Sequence, residues 1–466
     1  MLRLPLRFIV PALLLLVASC APSEPRATRP DSSPDSPPPG FSALFDGSSF
    51  DGWWACEMID PRLLAAMTPA QRIAKAEEGA GDLGTHWTIV DGVIVNDGAG
   101  RYLTTERDFA DFELHLEYRT VAGADSGIYL RGVPQVQIWD TTEAGGKWGI
   151  GAKLGSGGLW NNAEGTPGRD PLVHADRPFG EWNRVRVIMI GERVTVWLND
   201  RVVVDDARMQ NLFKDPNPMP IPRSGPIQLQ THGGEISWRR LWIREIDPEE
   251  ANDTLAKRTR EAGANWLSLF DGETLRGWRG AVDGYQVSAE AIRCREGSGG
   301  TLYHQTDFSD FEVQFEFRLP SGGNNGLAIR YPGEGDSAYV GMCELQVLDN
   351  QAGKFAELDP RQYHGSAYGM VAAHRGYLRS AGLWNHQRVR VVGSTIEVEL
   401  NGTRILDADL STVTEGLAEM DRYRGRTRTN GYFGFAGHGD PVSFRKIEAR
   451  AVSANGDPAP TPGGTR

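Results

Sequence analysis

Short runs in which apolar and polar residues alternate dominate the chain. Phe112-Glu113-Leu114-His115-Leu116-Glu117-Tyr118 and Val194-Thr195-Val196-Trp197-Leu198 keep a period of two. That period turns one side of an extended strand toward a core and the other away from it. Turn dipeptides such as Asp91-Gly92, Asn199-Asp200 and Asn401-Gly402 separate the runs. Strands of this kind closed by hairpin turns predict antiparallel sheets. Helical signals occur in two places. Thr68-Pro69 opens one stretch, with Thr as N-cap and Pro in the first turn, and Pro248 to Ala262 forms a second.

The pattern occurs twice. Leu44-Phe45-Asp46-Gly47 followed by Gly52-Trp53 returns as Leu269-Phe270-Asp271-Gly272 followed by Gly277-Trp278. Asp108-Phe109-Ala110-Asp111-Phe112-Glu113 returns as Asp307-Phe308-Ser309-Asp310-Phe311-Glu312. Gly127-Ile128-Tyr129-Leu130-Arg131 matches Gly326-Leu327-Ala328-Ile329-Arg330, and Gln137-Ile138-Trp139-Asp140 matches Gln346-Val347-Leu348-Asp349. Trp182-Asn183, Leu198-Asn199 and His232-Gly233 recur in the same order as Trp384-Asn385, Leu400-Asn401 and His438-Gly439. The longer separation at the first pair places a helical insertion within 55–86. The prediction is all-β: two antiparallel sandwiches in tandem, over 40–246 and 265–452, joined by a helical linker at 247–264.

Composition adds limits. The 56 glycines and 28 prolines among 466 residues exceed average usage, which suits many turns. With 40% hydrophobic residues the chain has material for sizeable cores. A net charge of −12 argues against a nucleic-acid partner, which calls for a basic face.

Residues 1–20 read as an export signal, with Arg3 and Arg7 ahead of the apolar Phe8–Val17 stretch, which is too short to span a bilayer. Val17-Ala18-Ser19-Cys20 resembles a bacterial lipobox, which implies lipidation of Cys20. Residues 21–39 are rich in Pro and Ser and read as a tether, and 453–466 as a disordered tail. The expectation is a lipid-anchored protein of the bacterial cell envelope, on its periplasmic or outer side. Cys56, Cys294 and Cys343 lack zinc-site spacing; a Cys294–Cys343 disulfide and buried free thiols are both open.

Strand parity nominates a site. In Glu344-Leu345-Gln346-Val347 the aliphatics take the core, so Glu344 and Gln346 share the opposite face; Gln135 and Gln137 follow in the first copy. The same rule turns Tyr129, Arg131 and Arg330 outward. It also places Gln228, Gln230 and His232 on that face in the first copy, and Tyr432, Gly434, Ala436 and His438 in the second. Asp140 and Asp349 have core parity unless they close their strands. Such a face suits sugars, with planar donors and acceptors for hydroxyls; the plain alternative is a solvated sheet face. Trp160 and Tyr368, in glycine-rich loops, are candidates for stacking on a ligand, and Asn325 is a further candidate contact. Asp359, His364 and His374 fall in one loop without metal-ligand spacing and read as surface positions. No cofactor is evident, and whether a divalent metal takes part is open. No serine nucleophile elbow, phosphate loop or dinucleotide fingerprint is present.

As an ordered series these motifs resemble the 3-keto-disaccharide hydrolase family, over about 40–246 and 265–452. The resemblance implies a concanavalin A-like lectin/glucanase sandwich for each copy. It also implies hydrolysis of glycosides whose sugar carries a ketone at C3, with a carbohydrate as ligand. The family's Glu-Val-Gln-Ile carboxylate corresponds to Glu344, and is Gln135 in the first copy. On this reading Glu344 or His438 is the base and Arg330 stabilises the enolate. Gln346, Asn325, Tyr368 and Asp349 would bind sugar in the second copy, and Arg131, Gln135, Gln137, Trp160, Gln228, Gln230 and His232 in the first, which lacks the carboxylate and either uses His232 or Asp140 in its place or only binds. The alternatives are a non-catalytic carbohydrate-binding lipoprotein and an adhesion module that recognises protein.

Overall fold

A computed structural model describes residues 36–213 and 219–453. The signal segment, Cys20, most of the tether and nearly all of the tail lie outside the described residues. Four antiparallel sheets build two sandwiches, and each sandwich pairs an eight-stranded sheet with a five-stranded one. The five-stranded sheet of the first copy runs Trp53–Cys56, Tyr102–Thr105, Gln228–Leu229, Asp125–Leu130, Val133–Trp139. In the second copy the order is Trp278–Gly280, Gly300–Phe308, Gly431–Gly437, Asn324–Tyr331, Cys343–Leu348. The chain order of corresponding strands is the same in both, so one topology is used twice.

Period-two patterning explains the layers. Leu114, Leu116, Val185, Val187, Val194 and Val196 are buried between the sheets of the first sandwich. Phe315, Phe317, Val389, Val391, Phe433 and Phe435 do the same in the second. Asp46 and Asp271 form Asx turns, each accepting two backbone N–H groups with one carboxylate oxygen.

The helical stretches appear where local signals put them. Pro69–Gly79 starts from a capping box in which Thr68 and Gln71 bond each other's backbone, and it packs beside Trp53–Cys56. Pro248–Glu261 is capped by Asp247, which accepts from the Glu249 and Glu250 amides. Its Asn252, fully buried, accepts a hydrogen bond from Arg379 at 2.5 Å. The hairpin turns 190–193 and 400–404 meet, with the Glu192 amide donating to the Gly402 carbonyl at 3.1 Å. Arg208 of the first copy donates to Glu399 of the second at 2.9 Å.

Cys56, Cys294 and Cys343 are free and buried, so the disulfide alternative is not the one adopted. The expectation that His364 sits on the surface is corrected. It is 1% exposed and stacked on Phe317 at 5.0 Å, because the loop that carries it folds back over the sandwich.

Candidate functional site

In both copies the five-stranded sheet turns one face to the core and the other to a layer of loops. Leu345 and Val347 enter the core, which leaves Glu344 and Gln346 on the loop-covered face. They are not solvated: Glu344 is 5% exposed and Gln346 4%. The short helix Ser337–Val340 packs on this part of the sheet, and Ala367 bridges to Leu345 along the edge strand. Glu344 lies across the neighbouring strand at Gly326, where a Cβ would overlap its carboxylate. Gly127 plays the same part under Gln135, whose Oε1 would lie 2.6 Å from such a Cβ.

Glu344 has a partner on each oxygen. Ser337 Oγ donates to Oε2 at 2.6 Å, and His438 Nε2 stands 3.4 Å from Oε1. His438 holds its proton more tightly than a free imidazole because Glu344 bonds it, an effect larger than the opposing cost of burial. Gln346 donates to Asn324 Oδ1 at 2.6 Å. Tyr303 and Tyr432 stack at 4.9 Å, and Tyr331 meets Tyr303 edge-on at 5.5 Å. Tyr368 donates its amide to the Glu344 carbonyl and accepts from Gln362 through its hydroxyl, which places it beside the site strand.

The first copy arranges the same face differently. Asp125, at the head of its strand, accepts three donors. Gln137 Nε2 reaches Oδ1 at 2.8 Å, and Lys147 Nζ and His232 Nδ1 each reach Oδ2 at 2.7 Å. Gln135 donates to Gln137. Gln228 donates to Thr104 at 3.0 Å, and Gln230 to the Tyr102 hydroxyl at 3.2 Å. A cavity of about 280 Å³ opens here, and Asp125, Gln135, Gln137, Lys147, Gln230 and His232 are among its lining residues. Trp160 walls it, with Trp139 edge-on at 4.8 Å and the Arg169 guanidinium over its ring.

Several nominated residues are elsewhere. Arg330, 1% exposed, donates to the Ser309, Gly393 and Arg428 carbonyls and pairs with Asp310. Arg131 does the same with Ala110, Gly191, Pro222 and Asp111. Both have positive φ, 47° and 57°, beside a register shift in the strand pairing. The bulge breaks the alternation, so the outward parity expected for both arginines, and with it an enolate-stabilising Arg330, is corrected. Asn325 shares the parity of Leu327 and Ile329 and is fully buried on the core side. It accepts the Gly326 amide, and its own NH₂ has no partner among the described residues. Asp140 and Asp349 close their strands, accepting the amides of Gly123 and Thr142 and of Gly322 and Gln351.

Asp125, Lys147, Asn324, Ser337, Tyr102 and Tyr303 escaped the sequence reading. Asp125 and Asn324 occupy equivalent positions, two residues before the matched glycines Gly127 and Gly326, so comparison of the repeats carried that signal. Among the described residues no group of three or more His, Cys, Asp or Glu side chains is placed to hold a metal ion.

The family model described as a 3-keto-alpha-glucoside-1,2-lyase-like domain matches residues 40–244 and again 265–450. A 3-keto-disaccharide hydrolase of Bacteroides thetaiotaomicron is 25% identical over 227 residues, covering 40% of this chain and 78% of the relative. Two solved structures of candidate glycosyl hydrolases from Parabacteroides distasonis are 22% and 18% identical. They cover 41% and 42% of this chain and 100% and 97% of their own, with TM-scores of 0.36 and 0.35.

Proposed function

The chain belongs to the 3-keto-α-glucoside-1,2-lyase-like domain family, and on that premise we propose that it hydrolyses glycosides whose sugar ring carries a ketone at C3. The observation that carries this reading is the buried Glu344 carboxylate, aligned by Ser337 on one oxygen and facing His438 on the other. A C3 ketone acidifies the C2–H bond, so a carboxylate held in place is a sufficient base. Glu344 takes the C2 proton. His438, whose proton affinity Glu344 raises, is the donor at hand for the enolate. The C1–O bond then breaks with its electron pair going to the aglycone oxygen, and water adds across the resulting double bond. Gln346 and the Tyr303–Tyr432 pair lie on the same sheet face and are suited to the ring's hydroxyls and its C–H surface.

The proposal includes a location: export by residues 1–20, lipidation at Cys20 and a tether that holds the sandwiches off a membrane. Mass spectrometry of the N-terminal peptide tests it. A diacylated Cys20, and release of the Cys20→Ser protein from the membrane fraction, are the expected results; an unmodified N-terminus sinks the anchor.

The activity test incubates the protein with 3-keto-sucrose and with sucrose, with and without chelator. Cleavage of the keto sugar only, with kcat reduced on the order of 100-fold in Glu344→Gln, is expected. Binding without turnover would favour a carbohydrate-binding role, and unchanged turnover in Glu344→Gln would remove that residue from the chemistry. The chelator arm reports whether a metal is needed.

A further inference from the structure

The two copies do not simply gain and lose a catalytic carboxylate; they hold it on adjacent strands. Strand register makes Gly127 opposite Gln137 equivalent to Gly326 opposite Gln346. Gln135 therefore stands where the second copy has Glu344, and Asp125 where it has Asn324. Each copy keeps one carboxylate on this face, and each carboxylate meets the histidine that follows the corresponding strand, His232 or His438.

We propose that the first sandwich holds a second proton-transfer site, in which His232 is the proton acceptor and Asp125 its positioning residue, for glycosides of the same oxidised class. The inference rests on the substrate reading above. Asp125 is occupied by three donors, one of them the Lys147 ammonium, so three of its four lone-pair sites are committed. It fixes the imidazole: an ionised Asp125 accepts from Nδ1–H, which leaves the Nε2 lone pair free. The His232 side chain is 56% exposed at the cavity, so that nitrogen is accessible to a ligand.

A second observation points to a ligand in this cavity. The side-chain oxygens of Gln135 and Gln230, residues each 5% exposed, are buried without a hydrogen-bond partner among the described residues. Both residues line the cavity. Unpaired buried acceptors carry a desolvation cost that hydroxyl donors would relieve. Trp160 and the Tyr102–Tyr129 pair, 5.5 Å apart, supply ring surface beside them. Acceptors, rings and one free imidazole nitrogen together fit a polyhydroxylated ring with an acidic C–H.

In the step assigned to His232, Nε2 takes the C2 proton and the C2–H electron pair becomes the enolate. The enolate collapses as the C1–O bond breaks, the aglycone leaves with that pair, and it takes a proton from water. The hydroxide so formed adds to C1, and the imidazolium returns its proton to C2. The balance is one water consumed and one alcohol released.

The test uses the full chain, with a 4-nitrophenyl 3-keto-glucoside as probe and thermal melts confirming that each variant folds. Glu344→Gln should keep part of the wild-type turnover. Adding His232→Asn should remove that remainder by on the order of 100-fold. Adding Asp125→Asn should lower its kcat at least tenfold with KM within about threefold, the split expected when a base is misoriented but the pocket is intact. Wild-type turnover abolished by Glu344→Gln alone, or a remainder unchanged by His232→Asn, overturns the second site and leaves the substrate reading standing. An inactive wild type overturns both.

Discussion

The two sandwiches share a topology but treat their histidines in opposite ways. All four in the first copy have a carboxylate nearby: His86 with Asp97, His115 with Glu113, His174 with Asp176, and His232 with Asp125. In the second, His304, His364 and His386 are buried with no carboxylate in salt-bridge contact among the described residues. Loss of water pushes them to about 4, 3 and 4. Only His438 in the second copy follows the pattern of the first. One fold thus yields a half whose histidines meet carboxylates and a half in which three imidazoles are buried away from them, which protonation disrupts.

The largest consequence is acid lability confined to one sandwich. A buried histidine with a depressed folded value binds its proton more readily when unfolded, so stability rises with pH up to about 6.5 and falls as pH drops toward 4. Each of the three contributes up to about 3 kcal/mol of that loss. His438, shifted upward, opposes it: its contribution is full below about 6.5 and disappears as pH rises past its folded value. Hydrogen exchange between pH 7 and 4 should show 265–452 opening before 40–246. Simultaneous opening of the two halves would break the comparison.

Next in size is the contact that joins the halves. Glu399 of the second copy, 3% exposed, is held down at about 2: burial works against its charge, but Arg193, Arg388 and Arg208 outweigh it. Arg193 and Arg208 belong to the first copy. Removing a buried carboxylate from its arginines leaves uncompensated charge, so Glu399→Ala should cost about 3 kcal/mol. Calorimetry should then show two transitions where the parent shows closer coupling. A single unshifted transition would mean that the hairpin contact at Glu192 and Gly402 suffices.

How far the sequence was legible follows physical lines. Parity put Glu344, Gln346, Gln135 and Gln137 on the loop-covered face because Cys343–Leu348 and residues 135–139 pair without a register shift, and the caps at Thr68 and Asp247 are local and readable. Arg131 and Arg330 were misplaced because a single left-handed residue reverses the facing of everything after it, and nothing in the alternation marks a bulge. Asn325 was taken in place of Asn324, a one-residue difference that exchanges core for site. Lys147 and Ser337 come from loops and a short helix that fold over the sheet, and their approach depends on tertiary packing alone.

A smaller effect separates the two cradle glycines. Ala at Gly326 would overlap the Glu344 side chain from Cγ outward, so the carboxylate must leave its place beside Ser337. Gly326→Ala should lower turnover about 30-fold, equal to about 2 kcal/mol of barrier. Gly127→Ala meets the Gln135 carboxamide instead. It should weaken sugar binding in the first copy and leave the chemistry of Glu344 untouched. Equal kinetic losses in the two variants would erase the functional distinction between Gln135 and Glu344.

The smallest effect concerns the helical insertion of the first copy. The insertion carrying Pro61–Ala66 and Pro69–Gly79 leads in from Met58, which lines the first cavity. The Thr68 side chain caps the second of these helices, accepting from the Gln71 amide at 3.3 Å. Thr68→Ala removes that bond and keeps the one from its own amide to Gln71 Oε1, a loss of about 1 kcal/mol. Because the insertion packs on Trp53–Cys56, an edge strand, the loss should stay local. Faster hydrogen exchange over 61–79 is expected, with exchange in 265–452 unchanged. A matching increase in the second copy would show the insertion acting across the molecule, and it would then have to be counted as part of the contact between the halves.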